Sequence, residues 1–328
     1  RSTKNKDKVN IKKDVKDLYE TVLNKENTRA LMFMFGHYLP SFYFRDIEWM
    51  QSLLPKIFPK DPEKKYLYLA AWEGYLANNL YYEIFIDPNF QELYQYALSM
   101  DIDDAGRKYF RDPDDGIAIH LALAFVYYKD FGFEHPLFKA FWEKDDSELH
   151  SHFISFLGRS FVSGDNVVTN EFLEKNPMGK KRIREFWDWL LTNHENPKTF
   201  SSFGFWINTE KNIFEPKWLA EHLRKTFEKS KGAIDWDYGL TKSVVTLSKV
   251  APKDMALVAR LHFLEGQIRN PDKQFPFMVE SEWVEAFKIL YNNSDTKEEI
   301  YNLINDLIEE GGSAFWALKN ILPENGKV

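Results

Sequence analysis

The sequence predicts an all-α protein, a series of antiparallel helices joined by short connections, on three observations. Apolar residues recur at i, i+3, i+4, i+7 and i+8, which places them on one side of a helix. Helix starts are marked by a polar residue followed by proline, and the connections between helical segments are short. Three such apolar stripes are Val15, Leu18, Tyr19, Val22 and Leu23; Ile183, Phe186, Trp187, Leu190 and Leu191; and Ile300, Leu303, Ile304, Leu307 and Ile308.

The polar-proline pairs indicate where each helix begins, because a capping side chain satisfies free N–H groups and proline suits the first helical position. Such starts are Asp61-Pro62, Asp87-Pro88, Asp112-Pro113, Asn176-Pro177, Asn196-Pro197, Glu215-Pro216 and Ala251-Pro252. With the apolar spacing they predict helices at residues 10–25, 29–38, 46–57, 62–78, 88–100, 115–130, 136–144, 147–163, 167–175, 179–194, 216–230, 237–249, 252–268, 281–292, 296–310 and 313–321.

One segment also allows a β-hairpin. The aromatic run from Phe203 to Phe214 is interrupted by the polar residues Asn208 to Asn212, which would suit a turn between two strands.

Many short helices in series form either a compact bundle or an α-solenoid. The tetratricopeptide and ankyrin consensus patterns are absent, whereas degenerate HEAT-like repeats fit, because their identity lies in apolar spacing. We therefore predict a HEAT-like α-solenoid, with a compact multi-helix bundle as the alternative. The clearest boundary lies between Ser163 and Lys180, and it divides the chain into helical-repeat halves at 1–165 and 166–328, stacked continuously.

Composition narrows the function classes. A formal net charge of -7 argues against a surface built as a whole for nucleic acid or an anionic membrane, although it leaves room for a local basic patch. The absence of cysteine removes disulfides, zinc ribbons and thiol nucleophiles, which fits a reducing, cytoplasmic location. No stretch approaches the roughly 18 apolar residues of a membrane span. The chain begins at Arg1 and not at Met, so we expect a fragment of a larger protein.

The sequence lacks the common catalytic motifs. The GxxxxGK[ST], GxGxxG and GxSxG patterns do not occur, so we expect no nucleotide cofactor and no nucleophile elbow. His150 and His152 are two residues apart and point to different faces of a helix, which does not suit a metal. We expect His152 to pack on the apolar side, and we expect no metal or other cofactor.

Two acidic clusters, residues 101–104 and 112–115, are best explained by helix capping, because acids are favoured at the positive end of a helix. One alternative is a calcium or magnesium site between the two clusters, although the EF-hand spacing is missing. Another is an enzyme in which scattered groups converge in space. Its candidate residues are Asp103, Asp104, Asp114, Asp115 and His120.

The basic run Lys180-Lys181-Arg182-Ile183-Arg184 is the strongest candidate for a binding surface. It opens a helix, where the macrodipole disfavours cations, and it is followed by aromatic residues. It is either a solvated face paired with nearby acids or a site for phosphates with aromatic stacking. Trp189 lies off the apolar stripe of this helix and is the best candidate for an exposed aromatic contact.

Two segments resemble parts of the helical C-terminal regions of large bacterial and archaeal multidomain proteins. They are Ala70-Ala71-Trp72-Glu73-Gly74-Tyr75-Leu76 and Leu149 to Phe161, with its core Phe156-Leu157-Gly158-Arg159-Ser160-Phe161. In those proteins a P-loop NTPase or a sirtuin-like NAD-hydrolysing domain comes first, and the helical part senses or binds a partner, often in phage defence. The resemblance implies a prokaryotic sensor module and transfers no functional residue.

Together these observations favour a non-enzymatic helical scaffold or sensor that recognises a partner protein, or the effector domain of its own polypeptide. We expect the contacts at Lys180, Lys181, Arg182, Arg184 and Trp189. The two alternatives are the enzyme built from scattered acids and a nucleic-acid-binding module that uses Lys180 to Arg184. The second is not favoured, and a membrane partner is not expected.

Overall fold

The computed structural model describes residues 11–26, 28–100, 112–163, 171, 173–210, 212–270 and 278–322. Every regular element in these ranges is helical, which confirms the all-α prediction. The chain divides into two compact units, which we call unit 1 (Arg1–Asp145) and unit 2 (Asp146–Val328). None of the helices in the ranges described is long and apolar enough to cross a membrane.

Unit 1 contains eight of the α-helices that the structure describes. They are α1 (Lys13–Lys25), α2 (Arg29–Arg45), α3 (Ile47–Ile57), α4 (Lys65–Leu76), α5 (Tyr82–Phe85), α6 (Pro88–Ser99), α7 (Pro113–Tyr127) and α8 (Pro136–Glu143). A short 3₁₀ helix, Pro62–Lys64, leads into α4.

The described part of unit 2 adds nine α-helices and four other helical segments. The α-helices are α9 (Ser147–Leu157), α10 (Pro177–Asn193), α11 (Pro197–Ser201), α12 (Pro216–Ser230), α13 (Tyr238–Val250), α14 (Pro252–Arg260), α15 (Ser281–Asn292), α16 (Lys297–Gly311) and α17 (Trp316–Lys319). Two π-helices, Gly158–Val162 and Leu261–Ile268, continue α9 and α14, and 3₁₀ helices occupy Ser202–Trp206 and Gly312–Phe315.

The predicted capping residues are confirmed at the Asp-Pro starts. Side-chain oxygens of Asp61, Asp87 and Asp112 accept hydrogen bonds from the backbone N–H groups of residues two positions later, at 2.9 to 3.0 Å. Asn196 does the same for Lys198 at 3.1 Å. Each cap satisfies one N–H that has no partner inside its helix, so the helix begins where the sequence indicates.

Helices α2 and α4 cross in backbone contact. A Cβ atom at Gly36 would lie 1.8 Å from the carbonyl oxygen of Ala71, and one at Gly74 would lie 2.1 Å from that of Phe33. Only glycine fits at either position, because real Cβ atoms do not approach a backbone oxygen so closely. This close crossing forms the centre of unit 1.

Beside this crossing lies a cluster of buried aromatic rings. The rings of Trp72 and Tyr94 meet edge to face with centroids 4.9 Å apart, and Tyr75 and Phe90 lie at 5.5 Å. Such offset and edge-on pairs add to the energy of burial. Unit 1 therefore uses the aromatic residues of α4 and α6 as core.

The predicted end of α2 was wrong. The helix was expected to stop at residue 38, but it continues to Arg45 through Pro40. The proline removes one helical hydrogen bond. Leu39, Phe42 and Tyr43 are nevertheless buried, so packing of this face maintains the helix beyond the proline.

In unit 2 four of the five residues in the predicted stripe of α10, Ile183, Phe186, Trp187 and Leu190, are fully buried. The fifth, Leu191, is half-buried. The stripe of α1 in unit 1 is only partly correct, because Leu18 is 61% exposed.

The hairpin allowed between Phe203 and Phe214 is not found in the described residues of that run. Its first part is instead a 3₁₀ helix that buries Phe203 and Trp206.

The division between the units precedes the predicted boundary. Contacts separate the chain after Asp145, whereas the sequence places the boundary at 165/166, outside the described residues. The stacking of the helices as a HEAT-like solenoid stays a prediction.

Candidate functional site

The predicted basic run lies on the first turns of α10, opposite its buried stripe. Pro177 takes the first helical position, and Ile183, Phe186 and Trp187 hold the other side of the helix in the core. Burial of that side leaves the cations no other direction than outward. Lys180, Lys181 and Arg184 are exposed, and Arg182 is half-buried.

Three of the predicted residues line one groove of about 390 Å³, which we call the basic groove. One wall is α10, and the other is the segment that leads into α12 together with its first turn. The lining residues are Pro177, Lys180, Lys181, Arg184, Ile213, Phe214, Glu215 and Trp218. The structure therefore brings Lys180, Lys181 and Arg184 together, with an aromatic and aliphatic wall facing them.

Trp218 is the fixed centre of this wall. The guanidinium carbon of Arg184 lies 4.7 Å from its ring centroid, a cation–π contact. The imidazole of His222 stacks on Trp218 at 3.6 Å, and the ring of Trp187 meets Trp218 edge to face at 5.5 Å. Contacts with three neighbours hold the indole, so the groove is shaped before any ligand binds.

His222 links Trp218 to the exposed side of α10. Its Nδ1 lies 3.0 Å from the carbonyl oxygen of Trp218, and its Nε2 lies 2.7 Å from a carboxylate oxygen of Asp188. Both partners are acceptors, so both contacts are hydrogen bonds when the imidazole carries both protons.

The groove carries several cationic side chains, and carboxylates lie near them. Among the described residues, Lys180 and Arg184 have no carboxylate partner, whereas Lys181 pairs with Glu185 at 3.5 Å. That pair is exposed on both sides and adds little stability. Glu215 lies in the lining itself, so the groove also carries a carboxylate.

The predicted contacts at Arg182 and Trp189 do not belong to this groove. Neither residue is in the lining, and Trp189 is half-buried, where an exposed ring was expected. Its ring packs against His194 at 5.1 Å and against Phe186 at 6.3 Å. Position off the apolar stripe did not indicate exposure, because the neighbouring segment after α10 covers this ring.

The residues that sequence reasoning missed are Phe214 and Trp218. Trp218, which no sequence motif singled out, is half-buried and lines the groove. The available signal was its place in the first turn after Glu215-Pro216, directly following the aromatic run. A first turn has few neighbours of its own helix, so an aromatic ring there packs on another element.

A pair of histidines, His150 and His194, lies beside Trp189. His150 is buried and His152 is half-buried, so the packing of His152 on the apolar side stays a prediction. The rings of His150 and His194 lie 5.8 Å apart. Burial, together with the charge of His150, lowers the pKa of His194 to about 4.

The structure describes only some of the candidate residues of the enzyme alternative. Asp103 and Asp104 lie outside the described residues, and Asp112 caps α7 as the capping interpretation predicts. His120 is buried, with Nδ1 2.6 Å from the Tyr94 hydroxyl and Nε2 3.1 Å from the Asn78 carbonyl oxygen. These contacts are those of a packed histidine in a core network.

The phenols of this network are held neutral. Burial raises the pKa of Tyr94, and the same cause raises the pKa of Tyr75.

Within the ranges described, no group of three or more His, Asp or Glu residues is placed to hold a metal ion.

Comparisons of the chain with protein-family models, with curated proteins and with solved structures return no match. The function is therefore inferred from the site itself.

Proposed function

We propose that this chain is a helical recognition module that binds an acidic, partly apolar segment of a partner protein in the basic groove. The observation that supports this proposal is the contact of Arg184 with the fixed ring of Trp218, in a groove that Lys180 also lines. Neither cation has a carboxylate partner among the described residues. An extended acidic segment could place a carboxylate on Arg184 and an apolar side chain on the indole. The partner is a separate protein or another domain of the same polypeptide.

The alternation of charge favours a peptide over nucleic acid. A phosphate backbone needs a continuous run of cations, whereas Glu185 pairs with Lys181 and Glu215 lies in the lining of this groove. A peptide can match such a pattern with its own mixed side chains. Aromatic and arginine side chains are also the residues that most often dominate protein interfaces.

The proposal is tested by fluorescence anisotropy with a labelled peptide of alternating Glu and Leu. We expect Arg184→Glu to weaken binding by about tenfold or more, because it replaces a favourable contact of about 1.4 kcal/mol with repulsion. Lys249→Glu is the matched control, since Lys249 is an exposed lysine of unit 2 outside the groove.

Two further probes make the result decisive. A peptide with Lys in place of Glu should not bind the groove, and a labelled oligodeoxythymidine should bind more weakly than the acidic peptide. Tighter binding of the oligonucleotide, lost in Arg184→Glu, would replace this proposal with nucleic-acid recognition. Equal binding of the acidic peptide by wild type and Arg184→Glu would refute the groove as its site.

A further inference from the structure

A second pocket of unit 2 lies away from the basic groove and has the opposite character. Its volume is about 390 Å³, and we call it the Trp236 pocket. The lining residues are Ser151, Ser155, Ser202, Ile234, Asp235, Trp236 and Asp237. They come from α9, from the 3₁₀ helix after α11 and from the loop between α12 and α13. Among the described residues, this lining contains two carboxylates and no basic side chain.

Trp236 is exposed at the rim of this pocket in a strained backbone conformation. Its side chain is 70% exposed, and its φ is +59°, in the left-handed region. That region costs a non-glycine residue about 1 to 2 kcal/mol. Exposure of a large aromatic ring brings no compensating burial, so the folding of this chain alone does not account for tryptophan here.

The loop that carries Trp236 is fixed at both ends. A Cβ at Gly204 would lie 1.8 Å from the carbonyl oxygen of Asp235, so the loop rests directly on the 3₁₀ helix. The N–H of Asp235 donates to the carbonyl of Ser201 at 2.8 Å, and the Ser201 hydroxyl donates to the Asp235 carboxylate at 2.6 Å. Gly232, with φ +80°, packs in the same way against Leu261 of the second π-helix.

The ring of Trp236 is also supported from one side. Phe205 stacks on it with centroids 5.7 Å apart and planes at 28°. A fixed loop and a stacked neighbour hold the indole in position, and a preorganised aromatic surface loses little entropy when a ligand binds.

Asp237 supplies the charge that selects the ligand. It occupies the N-cap position of α13, where an aspartate normally accepts from the helix N–H groups, yet its side chain makes no capping hydrogen bond. Among the described residues, its carboxylate has no hydrogen-bond or ion-pair partner. Asp237 lines the pocket, and its carboxylate has no capping role in the helix.

We propose that the Trp236 pocket binds an alkylammonium group, with the cation against the indole face of Trp236 and within reach of the carboxylate of Asp237. The indole is the best aromatic ring for a cation, and a carboxylate beside it strengthens the attraction. The serine hydroxyls offer further acceptors for the N–H groups of such a ligand. A lysine side chain of a protein and a free polyamine share this chemistry.

The test follows the indole N–H signal of Trp236 in ¹H–¹⁵N spectra of the full chain, assigned by its loss in Trp236→Phe. The titrants are a Lys-Ser repeat peptide, the same peptide with acetylated lysines, spermidine and maltohexaose. We expect the Lys peptide or spermidine to shift this signal and the acetylated peptide to leave it unchanged. Tighter binding of the Lys peptide than of spermidine assigns the source to a protein, and the reverse order assigns it to a polyamine.

The variants separate the pocket from the fold and from the basic groove. Asp237→Asn should weaken binding about fivefold or more, the equivalent of about 1 kcal/mol. Trp316→Ala removes another exposed tryptophan of unit 2 and should leave binding unchanged, as should Arg184→Glu in the basic groove. A response to maltohexaose or to the acetylated peptide equal to that of the Lys peptide, or no response to any titrant, would overturn the proposal.

Discussion

The two units use aromatic side chains in different ways. In unit 1 the large rings next to the α2–α4 crossing, such as Trp72 and Tyr94, are fully buried. In unit 2 Trp187 and Trp206 are buried too, but Trp236, Tyr238 and Trp316 are between 64 and 70% exposed. No aromatic ring in the described part of unit 1 is as exposed as these three. Since exposed rings gain little from folding, the difference directs the search for partners to unit 2.

The backbone shows the same contrast. The tight glycine contacts of unit 1, at Gly36 and Gly74, join two regular helices and serve packing. Those of unit 2 at Gly204 and Gly232 hold a loop, and the non-glycine residues with positive φ in the described chain, Lys231 and Trp236, belong to that loop. Backbone strain that does not serve core packing is typical of binding sites.

The largest expected effect is on the helix crossing of unit 1. Gly74→Ala should lower the free energy of unfolding by about 3 kcal/mol, because its Cβ meets the backbone of α2 and the two helices must separate. Gly132→Ala is the control, since a Cβ there meets nothing within 4 Å. Urea unfolding of both variants measures the difference, and equal midpoints would show that the crossing is not as close as described.

A smaller effect of opposite sign is expected in unit 2. Trp236→Gly should leave the free energy of unfolding unchanged or raise it by up to about 1 kcal/mol, because glycine adopts the left-handed conformation without strain. The greater freedom of glycine in the unfolded chain offsets part of this gain. A loss of several kcal/mol on urea unfolding would assign Trp236 to the core and remove the contrast between the units.

A third effect is a dependence of stability on pH. The folded chain keeps His194 neutral down to pH about 4, whereas in the unfolded chain this side chain takes up a proton near its ordinary pKa of 6.5. The unfolded state therefore binds more protons between these values, and the free energy of unfolding falls as the pH drops from about 6.5 to 4. Below that window both states are protonated and the contribution is lost.

His194→Gln should show a shallower decline over this range, measured as the thermal midpoint against pH. Carboxylates titrate in the same region but contribute equally to both proteins, so the difference isolates the imidazole. His152→Gln on α9 controls for loss of a histidine. Parallel curves for wild type and His194→Gln would contradict the account of this pair.

Much of the fold was predictable from local patterns. The Asp-Pro starts and the stripe of α10 depend on residues close in sequence; the starts are confirmed, and four of the five stripe residues are fully buried. The continuation of α2 through Pro40 depends on packing beyond the proline, such as that of Tyr43 against Phe90 of α6, which no local pattern indicates. The π-helices were missed for the same reason, because the spacing of α9 reads as one continuous helix.

The candidate site was predictable in part. A run of cations at the start of α10 pointed to Lys180, Lys181 and Arg184, because a stripe that is buried must leave the other face exposed. Trp218 could not be found in this way, since it reaches the groove from a helix that lies more than thirty residues further on. The exposed position of Trp236 depends on a loop conformation that no sequence pattern predicts.

Hydrogen exchange of the full chain, with and without the peptide of alternating Glu and Leu, tests the central claim most directly. We predict slower exchange on binding in two stretches of unit 2, around residues 177–184 and 213–218, and no change in unit 1. Protection confined to unit 1, or protection of neither stretch at saturating peptide, would contradict the assignment of the recognition surface to the basic groove.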